Sequence, residues 1–355
     1  MDYINNITET IGNTPLLKLN KIGKGGGGNV FVKLENLNPS GSYKDRMALA
    51  MVEAAERGET WNGRRLSPGG TVLEASAGNT APALAMVCAS KGYKARFYLY
   101  RYMFENNTNS RMMITRSYGP EVAISSTPDT YLTAEELAKI PPSDLMDVIA
   151  AKVDCDRLER ENPGFVWVDQ IYNMANMEGQ KQIGYEIYNQ LGGQVDAVGC
   201  SAATAGSLFG IYNGLKEKGV RPGVVFGVVP HGSECYLHLD KDECKYGEYT
   251  ISQEYKRITE AFKLEKWMKE TSIVEHMLEE KIPDVAFRVT HEDARKMAYR
   301  LCEEEGIYCG MSSGANGLIA LEIARRLGKG KNVVTTIVDR RDRHMSEDGH
   351  EKYAI

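Results

Sequence analysis

The strongest constraint on the fold is a repeated alternation of strand-like and helix-like stretches. Residues 71–75 read as a strand, 81–90 as a helix and 95–100 as a second strand. The pattern returns with a strand at 195–199, a helix from about 206 to 218 and a strand at 224–229; a last strand is expected at 333–338. Strands separated by helices do not pair as hairpins; they build parallel sheets with helices on both faces, so the chain reads as an α/β protein. With 355 residues there is enough chain for two such units, each with its own core.

Composition narrows the function classes. Hydrophobic residues make up 42% and charged residues 26% of the chain, the balance of a soluble globular protein. A net charge of −5 opposes binding to a phosphate backbone, which needs a basic face. No apolar run approaches the ~20 residues that cross a bilayer, so neither nucleic acid nor membrane is expected as a partner. The amino terminus shows no basic region followed by an apolar one, and the seven cysteines are scattered and odd in number. Both features suit a reducing cytoplasm. Cys235, His238 and Cys244 follow no zinc spacing, and no metal is expected there.

Three loops carry chemistry. In Ser40-Gly41-Ser42-Tyr43-Lys44-Asp45-Arg46, preceded by Asn38-Pro39, a lysine stands where a Pro/Gly turn leads into a helix beginning near Asp45. The positive end of the helix dipole disfavours a charged amine, and an uncharged amine is what Schiff-base chemistry uses. Ser76-Ala77-Gly78-Asn79-Thr80 is a strand-to-helix turn that offers backbone N–H groups and hydroxyls to an anion. Ala203-Thr204-Ala205-Gly206-Ser207 likewise follows a strand and opens a helix, a setting that suits a dianionic phosphate. It has neither a GxGxxG nor a GKS/T pattern, which weighs against dinucleotides and ATP.

These stretches, with Ile11-Gly12-Asn13-Thr14-Pro15-Leu16, Lys33-Leu34-Glu35 and Gly310-Met311-Ser312-Ser313-Gly314-Ala315, fall in the order seen in the cysteine synthase and cystathionine β-synthase family, and the chain resembles that family over almost its whole length. The resemblance implies a fold-type II enzyme dependent on pyridoxal 5′-phosphate (PLP), with two three-layer α/β/α domains and mostly parallel twisted sheets. Residues 1–39 would form an arm and first strands packing with the larger domain, 40–165 the smaller domain and 166–355 the larger. Lys44 would hold PLP as a Schiff base and Asn79 would contact it, with Ala203, Thr204, Ala205, Gly206 and Ser207 cradling its phosphate. Ser76, Ala77, Gly78, Asn79, Thr80 and Gln170 would hold the substrate carboxylate. The arm over residues 1–16 would pack across a homodimer boundary.

The chain also departs from the family. Ala77 stands where a serine is usual, and two glycines of the phosphate loop are alanines. The His-x-x-Thr-Thr-Gly pattern after residue 176 and a Gly-Ile-Gly loop between residues 249 and 284 are missing, and Val229 replaces a frequent Glu. Residues 125–162 read as an insertion of surface helices around Pro141-Pro142. Where the family has a Pro-Ser-Ser-Gly-Glu-Arg-Tyr-like stretch with a serine facing the pyridine nitrogen, this chain has Asp339-Arg340-Arg341-Asp342-Arg343-His344. Counting back from Arg343 and Ser346 sets Arg340 on that serine, with Asp339 the alternative. The implied reaction is β-replacement on a small serine- or cysteine-like amino acid by a small nucleophile. The alternative is a β-elimination lyase releasing a 2-oxo acid and ammonia.

Overall fold

The computed structural model describes residues 3–101, 110–140, 143–230, 237–262 and 270–344. In chain order its strands are β1 (Leu16–Lys18), β2 (Asn29–Leu34), β3 (Thr71–Ala75), β4 (Lys94–Leu99), β5 (Glu121–Ile124), β6 (Phe165–Trp167), β7 (Ala197–Ser201), β8 (Val224–Pro230), β9 (Leu237–Leu239), β10 (Glu243–Lys245), β11 (Tyr249–Ile251), β12 (Val285–Val289) and β13 (Asn332–Ile337). The helices are α1 (Lys44–Arg57), α2 (Thr80–Lys91), α3 (Ser110–Ser117), the short α4 (Ala134–Leu137), α5 (Leu145–Glu161), α6 (Ala175–Leu191), α7 (Gly206–Glu217), α8 (Gln253–Ala261), α9 (Ile273–Glu279), α10 (His291–Glu305) and α11 (Met311–Leu327).

Two main sheets form. The smaller, in the order β5-β4-β3-β6, is wholly parallel. The larger runs β1-β2-β13-β7-β8-β12-β10; it is parallel from β2 to β12 and closed at each edge by a short antiparallel strand. A separate antiparallel pair joins β9 to β11.

Alternation along the strands puts a core on each sheet face. On β8, Val225 and Val229 meet Ile183, Leu208 and Ile211 of α6 and α7, while Phe226 and Val228 meet Ala294, Leu301 and Ile319 of α10 and α11. On β3, Val72 packs with Met47, Met51, Leu84 and Val87 of α1 and α2, while Leu73 and Ala75 pack with Ile149 and Val153 of α5. Each sheet is therefore sandwiched between helices, the α/β/α arrangement expected.

One expectation fails here. Residues 128–139, with the short α4, lie largely at the surface as expected, but the second half of the 125–162 segment is not solvated: α5 covers one face of the small sheet and buries Leu145, Val148, Ile149, Lys152, Asp154, Cys155 and Glu159. Pro141 and Pro142 lie outside the described residues. The 249–284 segment also contributes to this core, because Tyr255, Ile258 and Phe262 pack into it from the carboxyl-terminal half of the chain. No helix among the described residues is long and apolar enough to cross a membrane. Of the three residues weighed for zinc, Cys244 is buried on β10, His238 pairs with Asp240 on the surface, and Cys235 lies outside the described residues.

Candidate active site

In an open parallel sheet, ligands gather beyond the carboxyl ends of the strands. The centre of the large sheet runs β2-β13-β7. From these three ends lead the lysine loop (after β2), residues 338–344 (after β13) and the Ala203–Ser207 loop (after β7). The first two are laced together: Tyr43 N–H donates to Val338 O at 3.0 Å, Arg340 N–H donates to Gly41 O at 3.2 Å, and Ser42 forms a bridge with Asp339.

Lys44 opens α1, one residue earlier than the sequence suggests. Its amine end is enclosed, and that burial lowers it to about 8, with Cys200 and Glu74 in range pushing the other way. Burial, rather than the helix dipole alone, makes the free amine accessible near neutral pH. Asp45 points back and accepts from Ser40 N–H at 2.6 Å and from the Ser40 hydroxyl, which closes the turn beneath the lysine. Arg46 anchors the helix start, donating to Glu35 at 2.7 and 2.8 Å and to Glu186 at 2.7 and 2.8 Å. Lys33 also pairs with Glu186, at 2.6 Å.

The turn between β3 and α2 brings Ser76, Ala77, Gly78, Asn79 and Thr80 together. Gly78 N–H donates to Ser76 Oγ at 3.1 Å, and the Thr80 hydroxyl donates to Gln170 Oε1 at 2.8 Å. Gln170 comes from the turn after β6, where Asp169 has a positive φ of 37°. Two asparagines fix that turn: Asn173 Nδ2 donates to Val168 O at 2.8 Å and Asn176 Nδ2 to Gln170 O at 2.7 Å. Behind it lie three buried ionisable side chains. Glu74 accepts from Ala75 N–H at 2.8 Å and Gln170 N–H at 3.1 Å, and Lys152 of α5 sits 3.2 Å from Asp169.

The Ala203–Ser207 loop turns through Ala205 at φ 64° into α7. Gly206 has to be glycine, since a Cβ there would collide with the Asn176 side chain. The Ser207 hydroxyl lies within hydrogen-bond reach of the buried Tyr43 phenol, whose ionisation burial pushes far up.

The expected place of Arg340 is corrected. Its side chain is 54% exposed and pairs with Asp342 at 3.0 Å. Asp339 instead is buried: its Oδ2 accepts from Asn79 Nδ2 at 2.5 Å and pairs with His344 Nε2 at 2.8 Å. The pairing of Gly41 with Arg340 and of Ser42 with Asp339 sends the first side chain outward and the second inward. Ser346, used to set that register, lies outside the described residues. Sequence reasoning also missed Arg343, which is fully buried and donates to Asn79 Oδ1 at 2.9 Å. A basic residue in a charge-rich terminal stretch gives no sign that it will be buried.

These residues fit PLP. Lys44 supplies an amine that burial makes easier to deprotonate, the amino end of α7 suits a phosphate, and Asp339 Oδ1 is a buried oxygen with no hydrogen-bond partner among the described residues. Comparison with known proteins agrees. Residues 7–339 match the model of the family described as "Pyridoxal-phosphate dependent enzyme". The chain belongs to that family. This family member is 34% identical to cysteine synthase 1 of Emericella nidulans over 349 residues, covering 95% of this chain and 82% of that one. Among solved structures it resembles a hydrogen sulfide-producing enzyme from Fusobacterium nucleatum, with a TM-score of 0.73, 26% identity and coverage of 97% and 99% of the two chains. Cysteine synthase from Entamoeba histolytica also has a TM-score of 0.73 and 26% identity, with 98% and 90% coverage.

Proposed function

We propose that this PLP-dependent enzyme catalyses β-replacement on a small serine- or cysteine-like amino acid, with sulfide or a thiol as the incoming nucleophile. The observation that carries this reading is that the enclosed Lys44 amine, the Thr80–Gln170 pair and the amino end of α7 all follow strand ends, with Glu74, which accepts from Gln170 N–H, and Cys200 of β7 both within electrostatic range of Lys44. Resemblance to cysteine synthases along most of both chains supports the same reaction.

In this reading Lys44 carries the cofactor and, once released by the incoming amino acid, its amine takes the α-proton. Bound PLP supplies an electron sink for the charge left behind. The hydroxyls of Thr204 and Ser207, with the backbone donors of Ala203, Ala205 and Gly206, hold the phosphate. The carboxylate of the amino acid takes over the Thr80 hydroxyl from Gln170 and gains the Ser76 hydroxyl and the N–H groups from Ala77 to Asn79. The smaller domain takes residues 40–165 and the rest of β6, with Tyr255, Ile258 and Phe262 packed into its core; the larger takes most of the chain after β6 together with β1 and β2, while Asn6 and Ile11 of the arm rest against the smaller domain.

The arm exposes Tyr3, Ile4 and Ile7 at 67, 51 and 45%, apolar surface that a second copy would cover; the protein is expected to sediment as a homodimer at micromolar concentration. A cytoplasmic setting suits the free thiols of the six described cysteines. Product analysis with an O-activated serine and sulfide tests the reaction. Cysteine as the main product supports replacement, whereas pyruvate and ammonia at the same rate without sulfide would make the enzyme a lyase.

A further inference from the structure

The buried carboxylate at the end of β13 has a place and a partner set that the preceding reading leaves unused. Strand β13 lies between β2, which leads to Lys44, and β7, which leads to the phosphate loop. A side chain directed inward from the end of β13 therefore enters the cleft that the lysine loop and the phosphate loop also border. That side chain is Asp339, 1% exposed and tied through Ser42 to the lysine loop.

Its two oxygens are treated differently. Oδ2 receives both Asn79 Nδ2 and His344 Nε2, while Oδ1 has no partner among the described residues. Gly310 makes room for the pair, since a Cβ at that position would lie 2.5 Å from both Asp339 Oδ1 and His344 Nε2. Hydrogen-bond donors and cations dominate the surroundings. His344 is in contact, Arg343 holds Asn79 from behind, and Arg111 acts from α3; Tyr43 and Cys309 are the other titratable groups in range. Burial on its own would raise the carboxyl, but His344, Asn79 and Arg111 outweigh it and keep Asp339 ionised.

An ionised carboxylate with one unpartnered, buried oxygen calls for an N–H donor. The pyridine nitrogen of the cofactor becomes one when it binds a proton, and a carboxylate beside it favours that form. We infer that Asp339, backed by His344 and Asn79, meets the ring nitrogen of PLP and keeps it protonated, in place of the serine found in the resembled family. Asp339 would then strengthen the ring as an electron sink, and Arg340 would take no part. The inference rests on the PLP reading above.

The test uses holoenzyme loaded with PLP labelled with 15N at the ring nitrogen, observed by 15N NMR without substrate. The wild-type resonance is expected at the pyridinium position. Asp339→Ser and Asp339→Asn should move it to the unprotonated pyridine position, and Arg340→Ser should leave it in place. A wild-type resonance at the unprotonated position overturns the inference without any variant, as does a pyridinium resonance that survives Asp339→Ser. Borohydride reduction of the same samples separates the two levels. Label fixed on Lys44 with an unprotonated nitrogen refutes only the role of Asp339, whereas a wild-type protein that binds no PLP refutes both.

Discussion

Replacing Glu74 by Gln isolates the titration of a carboxyl buried directly behind the Thr80–Gln170 pair. Glu74 is wholly enclosed, and burial first, then the charge of Asp169, pushes its carboxyl up to about 8, although Lys152 and two backbone N–H groups oppose the shift. A folded pKa above the unfolded value of about 4.5 means that the protonated group's contribution is full below pH 4.5. It is then lost progressively up to about pH 8. At about 1.4 kcal/mol per pH unit, the wild type should lose on the order of 2–3 kcal/mol through this one group between pH 6 and pH 9. Glu74→Gln cannot ionise and escapes that loss. At pH 6 it should be the less stable protein by roughly 1–3 kcal/mol, because its amide NH2 must face one of the two N–H groups. Urea unfolding of both holoproteins at the two pH values gives the comparison. The variant should gain on the wild type by about 2–3 kcal/mol from pH 6 to pH 9. Parallel profiles would refute the argument that a buried carboxyl at position 74 titrates in this window.

Thr80→Val removes the hydroxyl assigned to the substrate carboxylate. It should raise the KM for the amino acid about 10- to 150-fold, the equivalent of roughly 1.5–3 kcal/mol, with full PLP content; loss of PLP at unchanged KM would mean the loop serves the cofactor. Ala205→Gly relieves a left-handed alanine, which costs about 1–2 kcal/mol, against the roughly 0.5–1 kcal/mol of chain entropy that glycine adds. Stability in urea should therefore rise, by up to about 1.5 kcal/mol, and a fall would show that packing of the buried methyl group outweighs the relief.

Much of the framework was legible because local pattern and final environment agree. Strand 71–75, the helix starting at Gly206 and the strand at 224 are found where apolar runs and turn residues place them. The loops bearing Lys44, Thr80 and Ser207 are likewise tied to neighbouring elements whose type the sequence declares. What escaped was decided by partners distant in the chain. Lys152, Asp154 and Glu159 look like a solvated helix face, yet Asp169, the Ser126 N–H and hydroxyl, and the Trp167 N–H satisfy them inside the protein. Tyr255, Ile258 and Phe262 join a core formed more than eighty residues earlier, which no local period reveals. The choice between Asp339 and Arg340 turned on a one-residue register against Gly41 and Ser42. A shift of that size reverses inside and outside along an extended chain.

Whether Lys44 carries the cofactor is decided by one measurement. Purified protein reconstituted with PLP is reduced with borohydride, digested, and the pyridoxyl-bearing peptide is sequenced. The modification is predicted on Lys44, in the peptide that begins the first helix, and Lys44→Ala should leave no site labelled in stoichiometric amount. Stoichiometric label on Lys33, Lys152 or any other lysine, or none at all in protein that retains its fold, would rule out Lys44 as the carrier.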